Sequence, residues 1–216
     1  MALTGWRALV LAAGAGSRFG GAKLLAPIGG VPVIRRTVEA VSAAGFGDVL
    51  VVVGALGREI GEALAGLDCR LVEAADWRKG LAASIRAGVA ALPDDGDGAF
   101  LFLGDMPLVP VARCGELARL AQQSGYAARP RVDGKPGHPV CFLRPALPDL
   151  TLLSGDRGAG DVLRGRAVAY LDTDESGALL DIDDAGSLAL AECAWHSRAT
   201  SATTDSAISR GALPKP

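Results

Sequence analysis

"LVLAAGAGSRFGGAKLL", residues 9 to 25, passes without a polar break from a run of apolar residues into a loop carrying glycine at 14, 16, 20 and 21 and the cations Arg18 and Lys23. An apolar run with no alternation is the pattern of a strand buried on both faces, which belongs to a parallel sheet covered by helices on each side. The same pattern recurs in "DVLVVVG" (48 to 54), "CRLVE" (69 to 73) and "AFLFLGD" (99 to 105). Helical patterns separate these runs. One spans about Pro32 to Ala44, with Gly45 as its C′ residue. Another lies at Arg58 to Leu64, and a third at about Lys79 to Leu92, before Pro93. Strand and helix in alternation predict right-handed crossovers and an α/β, doubly wound sheet, with ligands held outside the carboxyl ends of the strands.

The second half is less regular. A helix is expected near Arg113 to Gln123. "YAARP" and "PVCFL" read as strands flanking "RVDGKPGH", an antiparallel addition that makes the sheet mixed but mostly parallel. "DVLRG", "AVAYLD" and "AGSLALAECAW" supply a short helix, a strand and a closing helix. From Ser197 the chain holds only Ile208 and Leu213 as large apolar residues, too few to offset the entropy of ordering. We therefore expect a single domain over 1–196 and a disordered tail over 197–216.

Composition agrees with one core: half of the 216 residues are hydrophobic. The 22 Lys+Arg balance 24 Asp+Glu for a formal charge of -2, with no basic run, which argues against a nucleic-acid partner. Cys69, Cys114, Cys141 and Cys193 are scattered without a C-x-x-C pair, as expected of reduced thiols in a cytoplasmic protein. The start imitates a signal peptide, but its apolar run, Ala8 to Ala13, is too short, and no stretch nears the roughly 20 apolar residues of a membrane span.

The glycine loop is built to let backbone amides approach an anion, and two cations on it make a phosphate chain the first candidate ligand. It is not a dinucleotide fingerprint, because Phe19 stands where G-x-G-x-x-G needs a glycine and no acidic residue ends the second strand. Nor is it a Walker loop, since no hydroxyl residue follows Lys23. Three further stretches carry chemistry. Asp105 ends a buried strand, where a carboxylate needs a partner such as a phosphate-bound Mg2+. In "LLDIDDAGSLALA", alternation puts Asp181 and Asp183 on one side and Ile182 on the other. In "DWRKGLAASIRAG", a helical projection places Trp77, Gly80, Ser84 and Gly88 on one stripe and Leu81, Ile85, Val89 and Leu92 on a second, which is expected to face the sheet. "RPRVDGKPGHPVCF" gathers Arg129, Arg131, Lys135 and His138.

In order, L-A-A-G-x-G-S-R-F-G-x-x-K-L-L, W-x-x-G-x-x-x-S, G-D-M-P, G-K-P-G-H-P-V-C-F, L-S-G-D-R-G-A-G-D-V-L and D-I-D-D-A-G-S-L resemble the motifs of the MobA-like NTP transferases. The resemblance covers residues 9 to about 190 and implies a nucleotide-diphospho-sugar transferase-like fold. It further implies a nucleotide site formed by Leu11, Ala12, Ala13, Gly14, Gly16, Ser17, Lys23, Gly80 and Ser84. Arg18, Lys23 and Asp105 would carry catalysis, Asp105 and Asp183 would hold Mg2+, and His138, Gly155, Asp156 and Arg157 would bind the acceptor. Asp156 is also expected to cap the helix beginning near Gly158. Departures from the family pattern fall at Phe19, at Gly160 in place of arginine, and at Asp184 to Ser187.

Among family activities the pattern is most similar to the transfer of CMP from CTP to the terminal phosphate of molybdopterin, with Ala13 favouring cytosine over a purine. Another NTP, or another phosphorylated acceptor such as a sugar phosphate or methylerythritol phosphate, is the alternative within the class. A non-catalytic nucleotide-binding accessory protein is the alternative outside it. A molybdoenzyme or its chaperone would be the protein partner.

Overall fold

A computed structural model describes residues 2–16 and 19–208, those from 199 on for their backbone alone. Strand β1 (Leu3–Ala12) lies at the centre, hydrogen-bonded to β4 (Phe46–Val53) on one side and β6 (Gly98–Leu103) on the other, both parallel to it. Outward from β4 lies β5 (Arg70–Glu73), again parallel. Outward from β6 lie β9 (Val140–Leu143), β7 (Ala127–Val132) and β10 (Val168–Asp172). Strand β9 runs against both its neighbours, β7 and β10 are parallel, and β8 (Lys135–Pro136) folds back on β7. The result is the mixed, mostly parallel eight-stranded sheet expected from the sequence.

Both faces of the sheet are covered because both parities of its strands are apolar. Trp6, Ala8, Val10 and Ala12 of β1 join Val49 and Val51 of β4 and Phe100 and Phe102 of β6 on one face. There they meet Ile34, Val38 and Val41 of α1 (Val33–Ala43), Ile60 of α2 (Gly57–Ala63) and Leu117 and Ala121 of α4 (Cys114–Ser124). Trp6, Phe46, Phe100 and Phe102 pack there in edge-on pairs with centroids 5.2 to 5.7 Å apart. Leu9, Leu11, Leu50, Val52 and Leu101 point the other way, against α3 (Leu81–Ala90), α5 (Leu147–Thr151) and α6 (Ala159–Leu163). Burying each large side chain contributes about 1.5–3 kcal/mol, so neither face can be opened cheaply.

The chain leaves β1 toward β4 through α1 and returns through α3 to β6 on the far side of β1. The loops that follow β1 and β6 therefore diverge at the carboxyl edge of the sheet, where a crevice opens.

Several elements differ from their expected form. Helix α3 begins at Leu81, not Lys79: Trp77–Lys79 form a single 3-10 turn, and Gly80 at φ 102, ψ 178 breaks the helical path. A single helical projection through Trp77 and Gly80 is therefore incorrect. Gly88, assigned to the small-residue stripe, faces the sheet, where a Cβ would lie 2.9 Å from Val52. Leu81, placed on the sheet-facing stripe, is instead 38% exposed. A two-stranded ribbon, β2 (Pro27–Ile28) with β3 (Val31–Pro32), was not expected, and neither was α5. The last helix, α7 (Ala185–Ile208), continues beyond Ser197, where a disordered tail was expected. It starts on an anchored turn, and once a first turn is formed each further residue adds a backbone hydrogen bond without a new nucleation cost. Residues 209–216 of that expected tail lie outside the described residues.

Candidate active site

Asp105 follows directly on the apolar strand β6. The N–H of Gly104 bonds the Leu11 carbonyl at 2.9 Å, and the buried side chains of Met106, Leu108 and Val109 hold the next turn in place. Opposite it, Lys23 opens a 3-10 turn, Lys23–Leu25, seated by the buried Leu24. The Lys23 ammonium reaches Asp105 Oδ2 at 2.6 Å and Asp183 Oδ1 at 2.9 Å. Asp183 is far away in sequence, and a single backbone bond brings it here: the N–H of Ile182 donates to the Asp105 carbonyl at 3.1 Å. Ile182 is fully buried on the opposite side, as the alternation predicts.

Asp184, which departs from the family pattern, takes a different task. It caps α7 by accepting the Ser187 N–H at 2.7 Å, and the Ser187 hydroxyl returns to the Asp184 carboxylate at 3.0 Å.

The electrostatics are those of a cation trapped between carboxylates. Burial alone would pull the Lys23 ammonium down, but hydrogen bonds and charge from Asp105 and then Asp183 push it above its ordinary range. Partial desolvation, then the charges of Asp183 and Asp105, raise the carboxyl of Asp181. Asp105 Oδ1 is shut off from solvent without a hydrogen-bond partner. A buried carboxylate oxygen left unsatisfied is costly, so the position is set up to accept another cation or donor.

Above this cluster lies a cavity of about 420 Å3. Of the expected nucleotide-site residues, Leu11, Ala12, Ala13, Gly14, Lys23, Gly80 and Ser84 line it, joined by Asp105 from the expected catalytic and metal group and Asp156 from the expected acceptor group. Ser17 and Arg18 lie outside the described residues. Gly16 does not line the cavity. At φ 65 it turns the loop instead, its carbonyl collecting the N–H groups of Phe19 at 3.0 Å and Gly21 at 3.4 Å.

Gly155 acts through its carbonyl, which accepts the Ala82 N–H at 3.1 Å and docks the 154–158 loop on the first turn of α3. Asp156 does not cap α6. That role belongs to Asp161, whose carboxylate accepts the Gly158 N–H at 2.9 Å because it stands three residues on, within the first helical turn. Arg157 turns away to the Ser154 hydroxyl at 2.7 Å and is not part of the cavity wall.

Trp77, Arg78 and Leu103 also line the cavity and were not named as site residues. Gly54 admits Trp77: a Cβ there would lie 2.7 Å from Trp77 Cγ, and the Arg78 guanidinium covers the indole at 4.4 Å. A tryptophan and a glycine at adjoining strand ends is the signal that reveals them.

His138 lies in neither the metal cluster nor the large cavity. It lines two smaller cavities, of about 180 and 240 Å3, that share Leu103 as a wall residue with the large one. Burial pushes its imidazole down to about 4, the Arg129 cation adds to this, and the Leu101 backbone opposes it. The ring is therefore neutral at pH 7. An unfolded histidine titrates near 6.5, so between about pH 6.5 and 4 the unfolded chain takes up a proton that the folded one refuses. The stability linked to this group is complete above pH 6.5 and falls as the pH drops toward 4, by about 3 kcal/mol in all. Urea denaturation of wild type and His138→Gln across pH 4.5–7 is expected to show a shallower acid loss in the variant; equal slopes would remove His138 as the source.

The model of the MobA-like NTP transferase domain matches residues 8–173. The Bifunctional protein GlmU of Rhizorhabdus wittichii is 42% identical over 106 residues, which are 48% of this chain and 23% of that protein. The chain thus spans less than a quarter of that relative's length. Nicotine blue oxidoreductase of Paenarthrobacter nicotinovorans is 32% identical over 190 residues, 81% of this chain and 90% of that protein. A solved nucleotidyl transferase from Methanothermobacter thermautotrophicus superposes with a TM-score of 0.77 at 28% identity, over 89% of this chain and 98% of that one. The matched span takes in the glycine loop, Lys23 and Asp105 and most of the chain, and the chain belongs to the MobA-like NTP transferase family.

Proposed function

We propose that the protein is a divalent-metal-dependent nucleotidyltransferase that moves CMP from CTP to the terminal phosphate of molybdopterin and releases pyrophosphate. The observation that carries this reading is the Lys23–Asp105 pair in the wall of the cavity, with Asp183 bound to the same ammonium. An oxygen of the acceptor phosphate bonds to the α-phosphorus as the bond to the β-phosphate oxygen breaks, and pyrophosphate departs with that electron pair. The reaction asks for positioning and charge neutralisation, with no covalent nucleophile from the protein.

The residues present fit Mg2+. Asp105 offers a buried oxygen without a partner and Asp183 a second carboxylate beside it. Among the described residues no three acidic, histidine or cysteine side chains converge, as suits an ion that takes one or two carboxylates and completes its shell with substrate oxygens and water. When bound, such an ion neutralises phosphate charge and makes the α-phosphorus easier to attack.

The chain's own part is then divided. The 14–16 loop faces the triphosphate; Arg18, the cation that the family resemblance assigns to it, lies outside the described residues. Lys23 exchanges a carboxylate for the departing oxygens. Trp77 and Ser84 border the nucleoside, and the Ala13 methyl fills space that a purine would use, which supports cytosine. Lys23→Ala is expected to raise KM for the nucleotide at least tenfold, since one charge-assisted contact contributes about 1.5–3 kcal/mol. Initial rates at varied CTP check this, and unchanged kinetics would leave Lys23 as a purely structural cation.

The test of the reading is pyrophosphate release with Mg2+ or Mn2+, molybdopterin and each of the four NTPs. Release with CTP alone supports the proposal. Release only with sugar phosphates or methylerythritol phosphate moves the acceptor, and none at all favours a silent nucleotide-binding role. One specific observation supports a second reading: the relative aligned over 90% of its own length is named an oxidoreductase. Oxidation of NADH or NADPH by the purified chain, without pyrophosphate chemistry, would favour that reading. No helix among the described residues is long and apolar enough to cross a membrane, and a molybdoenzyme or its chaperone is the partner this reading implies.

A further inference from the structure

Arg129 is a half-buried guanidinium without a counter-charge. Its Nε donates to the Gly137 carbonyl at 3.0 Å, which fixes the plane of the fork. Its two Nη groups bond to nothing among the described residues, and no carboxylate there comes within ion-pairing distance. Two residues along the same strand, Arg131 shows the ordinary arrangement: exposed, and held by both oxygens of Asp172 at 2.7 and 2.9 Å. Burial lowers the guanidinium of Arg129, the direction expected of a cation that has lost water and gained no anion. A second unsatisfied group stands beside it. His138 Nδ1 is closed to solvent and makes no hydrogen bond. Both residues line the two smaller cavities, which share Leu103 as a wall residue with the nucleotide cavity.

A half-buried guanidinium with both Nη groups unpaired on the wall of a cavity marks a binding position. A planar, pre-oriented guanidinium selects an oxyanion there. We propose that Arg129, with His138 beside it, is the receptor for an oxyanionic group of the acceptor, a phosphate or a carboxylate. For its part in the reaction this rests on the nucleotidyltransferase reading; the binding itself does not.

The test is a titration of the isotope-labelled full chain with sodium phosphate and, separately, sodium acetate at constant ionic strength, followed by NMR at Arg129 Nε and the amides of Gly137, His138 and Ala178. Saturable shifts at these positions are expected, with affinity at least tenfold weaker in Arg129→Gln and partly kept in Arg129→Lys. Phosphate dependence identifies a phosphorylated group and acetate dependence a carboxylate. Shifts confined to the residues around Lys23, no saturation in the wild type, or equal affinities in Arg129→Gln would each overturn the proposal. Thermal melting of both variants shows that the fold is kept. A parallel CTP titration separates the two ideas: failure of CTP to bind sinks the nucleotidyltransferase reading, whereas failure of the anion to bind at Arg129 sinks only this one.

Discussion

Asp105→Asn is expected to lower turnover by about a thousandfold or more while leaving the fold intact, because the change removes one charge and almost no volume. The asparagine keeps the turn after β6 but presents an NH2 group to one of two partners: to the Lys23 ammonium, with which Asp105 pairs at 2.6 Å, or into the buried space where Oδ1 now lacks a partner. Either orientation ends the attraction that the carboxylate offers a metal-bound triphosphate. Loss of the ion pair costs roughly 1–3 kcal/mol of stability, moderated because Asp183 still holds Lys23. Pyrophosphate release and thermal melting measured on the same preparation separate the two effects. Turnover within tenfold of wild type would move the metal site elsewhere.

Gly80→Val is expected to be the most damaging single change in the cavity wall. At φ 102 the backbone is closed to a β-branched residue. A Cβ there would also collide with the Gly155 carbonyl and come within 2.6 Å of Asp156 Oδ1. The 154–158 loop must then lift from α3 and lose its bond to the Ala82 N–H. We expect a loss of about 3 kcal/mol or more, roughly 6–12 °C in melting temperature for a chain of this size, together with weakened nucleotide binding. Gly14→Ala is the control. Its added methyl would meet nothing within 4 Å, so stability should hold and only ligand affinity should respond. If Gly80→Val melts like wild type, the docking of that loop on α3 is not what shapes the cavity.

The fully apolar runs at residues 9 to 13, 49 to 53 and 99 to 103 determined by themselves that the sheet would be covered on both faces, and their alternation with helices set its winding. Asp105 at the tip of the last run was legible for the same reason: a carboxylate ending a buried strand needs a partner wherever the chain goes. The pairing of Asp183 with Lys23 was not legible from spacing, because 160 residues separate them and contacts distant in sequence, such as the Ile182-to-Asp105 backbone bond, bring them together. The small-residue stripe through Trp77 was read on one continuous helix, yet Gly80 divides it, since a glycine that must pass close to Gly155 adopts a conformation that no helical projection contains. Local patterning determines which residues enter strands and which end them, because that decision depends on burial of neighbours along the chain. Which loops face one another across the carboxyl edge, and so which unpaired charges share a cavity, depends on contacts distant in sequence, and only the tertiary structure decided it.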